Sequence, residues 1–400
     1  RLVGSEMCIR DRFLPKLDWL NQLKWRGSWS VVGNPIPNTL FARQSYDFGN
    51  GTINTRPPLF DDPKPETTTS FETGLDVWMF DNKFNFDITY YNSTLRNQFL
   101  KITTANGESK PVNTGKIRNY GLEFSAGYRW NIGRDWRWQT GFNIAWNDNR
   151  ILETYKTESG APYIVTMGTN AFKIKYIEGG RYGDIYVNSF IRDKNGHIEI
   201  NEADNYKNAT PKMESGKYET YVGNTTSPVT LGWNNTFSWK NVTLYFLIDG
   251  RIGGKVMSLT EPDLDLYGLS ERSAQDRLNG EHVTQNGKEY ILKELPDGSG
   301  NKVSVENYYT TIGSYPMEDH VYNATNFRVR DISLSYNFSN LFGKNRGLTA
   351  QFSIKNAFFI YKDSPVDPDI SVSAANGYSG IDCYALPTTR SYALTLKFNF

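Results

Sequence analysis

The chain has 400 residues, a formal net charge of +1 and an aromatic content of 14%. Near-neutral charge gives no electrostatic case for nucleic acid or an anionic membrane surface. A mean hydropathy of -0.56, with no run of about 18 apolar residues, excludes a bundle of transmembrane helices.

A membrane β-barrel stays open, because its strands need only every second residue apolar. Cys8 and Cys383 form no CxxC pair, and the three histidines have no HExxH spacing, so neither a disulfide framework nor a zinc enzyme is indicated. No P-loop, Rossmann fingerprint or nucleophile elbow occurs. No cofactor is expected.

The opening RLVGSEMCIRDR has no helix cap, strand alternation or signal-peptide core. It resembles translated sequencing-adapter read-through. Residues 1–12 are therefore expected to be a non-native scar, with the true N-terminus missing, and are set aside from fold reasoning. The alternative is a native, poorly ordered terminus.

From about residue 23 the pattern has period two, which predicts strands with two unlike faces. After LKWRGSWSVVG comes FETGLDVWMF, with Phe71, Leu75, Val77 and Met79 on one side. FNFDITYY continues with Phe84, Phe86, Ile88 and Tyr90 against Asn85, Asp87 and Thr89. GLEFSAGYRW, WRWQTGFNIAWN, VTLGWNNTFSW, VTLYFLIDG, DISLSYNF, LTAQFSIKNAF and the closing SYALTLKFNF repeat the scheme. About ten strands result. Many reach the 9–11 residues that a tilted strand needs to cross a bilayer.

The connections alternate in length. Tight turns are expected near 81–83, 131–135 and 239–241, with a somewhat longer one near 339–347. Long polar, Gly/Pro-rich loops are expected at 34–66, 99–115, 151–226, 258–325 and 361–389. This is the rhythm of an up-and-down transmembrane barrel, with short periplasmic turns and long extracellular loops. Aromatics gather beside the short turns: Phe80, Phe84, Trp130, Trp136, Trp138, Trp239 and Phe338. Rings with a polar edge sit well at headgroup level, so an aromatic girdle is expected there. The alternative is a soluble antiparallel β-protein, which also alternates and also favours aromatics.

Several stretches then resemble the C-terminal barrel of SusC/RagA-type TonB-dependent outer-membrane transporters. They are KWRGSWSVVGN, PETTTSFETGLDVWMFDNKFNFDITYYNSTLRNQFL, TGKIRNYGLEFSAGYRW, NATNFRVRDISLSYNFS, SIKNAFFIYKDSPVDPDIS and LPTTRSYALTLKFNF. Their order and spacing carry the likeness, from about residue 13 to Phe400. The resemblance implies an all-β, antiparallel barrel of about 22 strands filled by an N-terminal plug. Residues 13–400 would be its C-terminal portion, without the plug or the first strands. It implies a non-enzymatic importer of oligosaccharides or peptides in the outer membrane of a Bacteroidetes-like bacterium. Implied partners are a SusD-like lipoprotein as lid, the TonB complex acting through the plug, outer-membrane lipid and the barrel assembly machinery. The rival readings are a passive porin or surface adhesin barrel, and a secreted glycan-binding β-protein.

Candidate sites are sparse. Asp61–Asp62 and Glu202 with Asp204 are expected to be solvated loop charge. IRDKNGHIEINEAD comes nearest to a metal motif. Asp193, Asn195 and Glu202 fall at calcium-ligand spacing, but Ile191 holds the first ligand position and DKNG is an ordinary hairpin turn. Tyr267, Tyr290, Tyr308, Tyr309 and Tyr315 are candidates for stacking on a sugar, with packing of the loop as the alternative. Tyr392, Leu394, Leu396, Phe398 and Phe400 resemble the C-terminal signal by which outer-membrane barrels are recognised for assembly.

Overall fold

The wall is built from the predicted alternation. A computed structural model describes the chain except residues 1–16, 36–45, 48–53, 56–63, 104–108, 158, 202–205, 315–317, 340, 344–345, 373–377 and 400. The expected scar therefore lies outside the described residues. Ten long strands form one antiparallel sheet: β1 (Leu20–Asn34), β2 (Glu66–Met79), β3 (Phe84–Thr103), β4 (Ser109–Ile132), β5 (Trp136–Glu153), β6 (Val229–Trp239), β7 (Val242–Ile252), β8 (Asn326–Phe338), β9 (Gly347–Lys362) and β10 (Ser391–Asn399). Each pairs with the next in chain order. Among the described residues no pairing joins β10 to β1, so the sheet is an unclosed arc of a barrel.

Register extends the period of each strand across the sheet. Trp25 pairs with Leu75, then Ile88, Phe124, Ile144 and Leu231 follow across successive strands. One residue further along, the row reads Arg26, Gly74, Thr89, Glu123, Ala145, Thr230 and Arg251. One face is thus apolar and the other mostly polar. Among the described residues no layer packs on the apolar face: Trp25, Trp29, Phe142, Trp233, Phe352 and Leu394 are all exposed. An antiparallel sheet in water buries such a face against a second layer, and a patch this extensive marks contact with lipid or protein.

The buried core lies instead in the loops. One cluster joins Ile102, Val112, Ile117 and Ile151, at the far ends of β3–β5, to Phe172, Ile174, Ile185, Val187, Met257 and Ile381. A second gathers Phe190, Ile198, Leu295, Val303, Val305, Tyr308, Tyr309 and Ile312. Both stand at the end of the sheet opposite the tight turns 80–83, 133–135 and 240–241.

Three expectations change. The stretch expected as loop at 151–226 folds into a four-stranded sheet of Val165–Gly168, Lys173–Tyr176, Asp184–Val187 and Thr220–Asn224 around buried Ile174, Ile185 and Val187. The loop expected at 99–115 is mostly strand, since β3 and β4 stay paired through Phe99↔Asn113 and Leu100↔Val112 to Thr103↔Ser109. The reason is tertiary: Ile102 and Val112 bury into the loop core and give the polar-looking extension an apolar anchor. The stretch 258–325 was expected as loop, yet holds three helices: α1 (Thr260–Leu266), α2 (Glu271–Asn279) and α3 (Val305–Gly313). Ser270 and Ser304 cap α2 and α3 by accepting from Ser273 N and Asn307 N, a signal readable in sequence as Ser before a charged first turn.

Candidate functional site

A break in the alternation positions the most charged part of the polar face. Along β8, Phe327 and Val329 share the apolar face with Ile332 and Leu334, which is one residue too many for strict period two. Pairing slips between Val329 and Asp331, leaving Arg330 without a partner opposite β7. Such a bulge re-aims side chains. Here it returns Ile332 to the apolar side while Arg328 and Arg330 both reach the polar side.

These arginines meet acids from β7 and from the connection between β9 and β10. Arg330 Nε donates to Asp249 Oδ2 at 2.7 Å, and its Nη2 to Asp369 Oδ2 at 2.9 Å. Arg328 pairs with Asp369, and Arg251 Nη2 lies 3.2 Å from Asp369 Oδ1. Arg328 is 1% exposed and packs over the Phe359 ring at 5.1 Å. A buried cation needs such partners, because desolvation alone would expel it. The same arginine donates to Thr388 Oγ1 at 3.1 Å, and Thr388 N donates to Asp367 at 3.0 Å.

Beside this cluster lies a cavity of about 560 Å³. It opens where β9 outruns β10, whose pairing stops at Lys355↔Ser391. Arg328, Phe359, Asp367 and Thr388 line one side, Glu261 and Leu264 of α1 another, with Tyr384 and Arg390 closing it. An aromatic, aliphatic and charged lining of this size can hold a small polar solute.

The tyrosine candidates separate. Tyr308 and Tyr309 are buried in the loop core, and their hydroxyls donate to Asp319 at 2.9 Å and Asp276 at 2.6 Å. Burial first, then the neighbouring carboxylates, push both phenols up. Tyr290 is also buried, with Lys288 Nζ 5.1 Å from its ring. These three take the packing role weighed as the alternative. Tyr267, at the end of α1, is 73% exposed. Tyr315 lies outside the described residues.

Asp193 Oδ1 accepts from Asn195 N at 2.8 Å and His197 N at 2.9 Å, closing the hairpin turn. Those backbone donors, His197 first, hold its carboxyl below the usual range. Glu202, Asp204, Asp61 and Asp62 lie outside the described residues. Among the described residues no cluster of three His, Cys, Asp or Glu is arranged to hold a metal.

The tryptophans converge at the tight-turn end of the apolar face. Trp130 pairs with Trp138 and Trp136 with Trp239. Trp136 stacks on Trp239 at 5.6 Å and Trp138 on Phe237 at 5.7 Å. On β10, Tyr392, Leu394, Leu396 and Phe398 line the same face and are exposed. Phe400 lies outside the described residues. Sequence reasoning missed Asp249, Arg251, Arg328, Arg330 and Asp369. The signal available was the slip in NFRVRDIS followed by the turn-forming PVDPD.

A family model described as TonB dependent receptor-like, beta-barrel, matches residues 9–249. The TonB-dependent receptor SusC of Bacteroides thetaiotaomicron is 24% identical, over 98% of this chain and 39% of that protein. The TonB-dependent receptor P3 of Formosa agariphila is 23% identical, over 98% of this chain and 40% of that protein. The chain thus spans about two fifths of the length of these relatives. Among solved structures, the RagAB peptide transporter superposes with a TM-score of 0.70 at 16% identity, covering 98% of this chain and 42% of that one. The RagAB peptide importer in its open-open state gives 0.67 at 18% identity. At those identities the likeness is one of fold.

Proposed function

The chain belongs to the TonB-dependent receptor-like β-barrel family, and from that premise we propose that it supplies barrel wall and extracellular loops to an outer-membrane importer of oligosaccharides or peptides. The observation that carries this reading is the inversion of burial. The apolar face of the ten-stranded sheet is exposed, while the packed core sits in the loops beyond one end. A lipid-embedded wall with folded extracellular loops accounts for both halves of that pattern.

In this reading the sheet turns its polar face to the lumen, and the tryptophan cluster marks the periplasmic headgroup level. The cavity beside β9 and the exposed ring of Tyr267 are the surfaces offered to substrate. The rest of the barrel and a plug are supplied by sequence beyond this chain. TonB acts through that plug, and a SusD-like lipoprotein covers the loops. The β10 face of Tyr392, Leu394, Leu396 and Phe398, continued to Phe400, serves the barrel assembly machinery. Relatives named for TonB dependence and a neighbour named as a peptide transporter support the class. They leave sugar and peptide as alternatives.

The test is uptake by the full-length protein in its own outer membrane. Import of a labelled oligosaccharide or peptide panel should stop when the proton gradient is collapsed or TonB is deleted. Import that persists under both conditions would favour a passive porin.

A further inference from the structure

Asp369 is carried to the wall by the connection between β9 and β10, yet it is held by three wall arginines. Arg251 Nη2 is 3.2 Å from one carboxylate oxygen, while Arg328 and Arg330 engage the other, Arg330 at 2.9 Å. Asp249 is the other acid on this trio, accepting from Arg330 at 2.7 Å and lying 3.7 Å from Arg328 Nε. Three guanidiniums therefore face two carboxylates. The Arg328 side chain is 1% exposed, whereas those of Arg251 and Arg330 are 44% and 31% exposed. One side of the site is dry and fixed, and the other is reachable from solvent. The 560 Å³ cavity reaches the dry side through Arg328, Asp367 and Thr388.

We propose that Arg251, Arg328 and Arg330 form a carboxylate-receiving site on the polar face of the wall, filled at rest by the chain's own Asp369. A carboxylate-bearing solute exchanges with Asp369 and so unlatches residues 363–369. Exchange replaces one carboxylate by another, so the buried guanidinium never loses its counter-charge. Forked donors suit a planar carboxylate better than a hydroxyl or an amide. Both ends of the connection hang on the same arginine, since Arg328 also holds Thr388, and Asp369 N donates to Asp367 at 3.0 Å. Displacement at one point therefore loosens residues 363–369, while Ile381 and Asp382 stay paired with Met257 and Ser258. The inference rests on the importer reading only for which solutes reach the site. The exchange itself is independent of transport.

The test uses the full-length protein in detergent, with cleavage between residues 363 and 369 followed by mass spectrometry. Asp369→Ala should be cut at least about tenfold faster than wild type, as expected when a buried ion pair loses one member. Sodium acetate should fill the emptied arginine site without tethering the segment, so cleavage should stay fast while the unfolding temperature of the Asp369→Ala protein rises. Sodium chloride at matched ionic strength and acetamide should give no such rise, and adding Arg251→Ala should abolish it. Wild-type protein needs no variant: citrate should speed its cleavage several-fold over chloride at equal ionic strength, near about 0.1 M, where exposed charges are already screened beyond about 10 Å. Equal cleavage of wild type in citrate and chloride, or an unfolding temperature of folded Asp369→Ala no higher in acetate than in chloride, overturns the proposal.

Discussion

His320 Nε2 lies 2.9 Å from Asp265 Oδ2, with both side chains fully buried. Arg272 closes the other side of that carboxylate, its Nε 3.1 Å from Oδ1. One carboxylate thereby joins α1, α2 and the short turn 318–320. Burial pushes the Asp265 carboxyl up, but hydrogen bonds from His320, Arg272 and Ser270 outweigh it and hold it below the usual range.

Removing that carboxylate should open the loop before it opens the wall. Asp265→Ala removes the fully buried acid of an ion pair whose Arg272 side chain is 32% exposed, at a cost toward the lower end of about 3–5 kcal/mol. The expected outcome in the full-length protein is rapid proteolysis between residues 258 and 325, with the heat-shifted barrel band retained. A depressed folded pKa also fixes the direction with pH. Asp265 contributes its full stabilisation above its unfolded value of about 3.9, and loses it as pH falls through the lower folded value. The Asp265-dependent part of hydrogen exchange across α1–α3, read as the difference between wild type and Asp265→Asn and corrected for intrinsic rates, should be flat from neutrality down to about pH 5. It should change only in stronger acid, and Asp265→Asn by itself should lack that step.

Two tyrosines of one loop should behave oppositely. Tyr309→Phe loses a hydrogen bond to Asp276 in the loop core, worth about 1.5–3 kcal/mol for a charged acceptor. Tyr309→Ala adds a cavity and should cost about 3–5 kcal/mol. Tyr267→Ala, on the exposed end of α1, should change loop stability by no more than about 0.5 kcal/mol. On the proposed role its expected effect is on ligand capture, read by comparing substrate binding with proteolytic stability.

The two faces of the wall should differ sharply in their tolerance of charge. Phe246 lies on the apolar face, paired with Asn235 and Ile332, whereas Thr236 lies on the polar face opposite Tyr245. Phe246→Arg near mid-wall should destabilise the barrel by about 2–4 kcal/mol. Thr236→Arg should assemble at near wild-type level. The amount of heat-shifted protein in the outer-membrane fraction checks both.

Gly313 marks the closest approach of α3 to α1. A Cβ there would lie 2.5 Å from Leu266 N and 2.6 Å from Pro262 O. Both are backbone atoms, so neither can swing aside. Gly313→Ala should cost about 1–3 kcal/mol through overpacking and raise exchange in α1 and α3 together. The wall strands should be unaffected.

Much of the wall was legible because period two is local. Every strand predicted from alternation is present, and each tight turn falls where the aromatics crowd. The tyrosines were less legible. Tyr267 and Tyr308 look alike in a polar stretch, yet one is exposed and the other sits among Phe190 and Tyr309. Burial in that loop depends on contacts across more than a hundred residues of chain, as with Asn307 donating to Tyr206 O at 3.0 Å.

The residues alone therefore determined the ten-strand antiparallel wall and its two unlike faces, since side chains must alternate along any extended strand. Only tertiary structure decided that β3 and β4 run on into the loop core, that three helices fold above the wall, and that Arg251, Arg328 and Arg330 close on Asp369. Each of these needs an apolar anchor or counter-charge supplied from far along the chain, and a local pattern carries no record of which distant group will arrive.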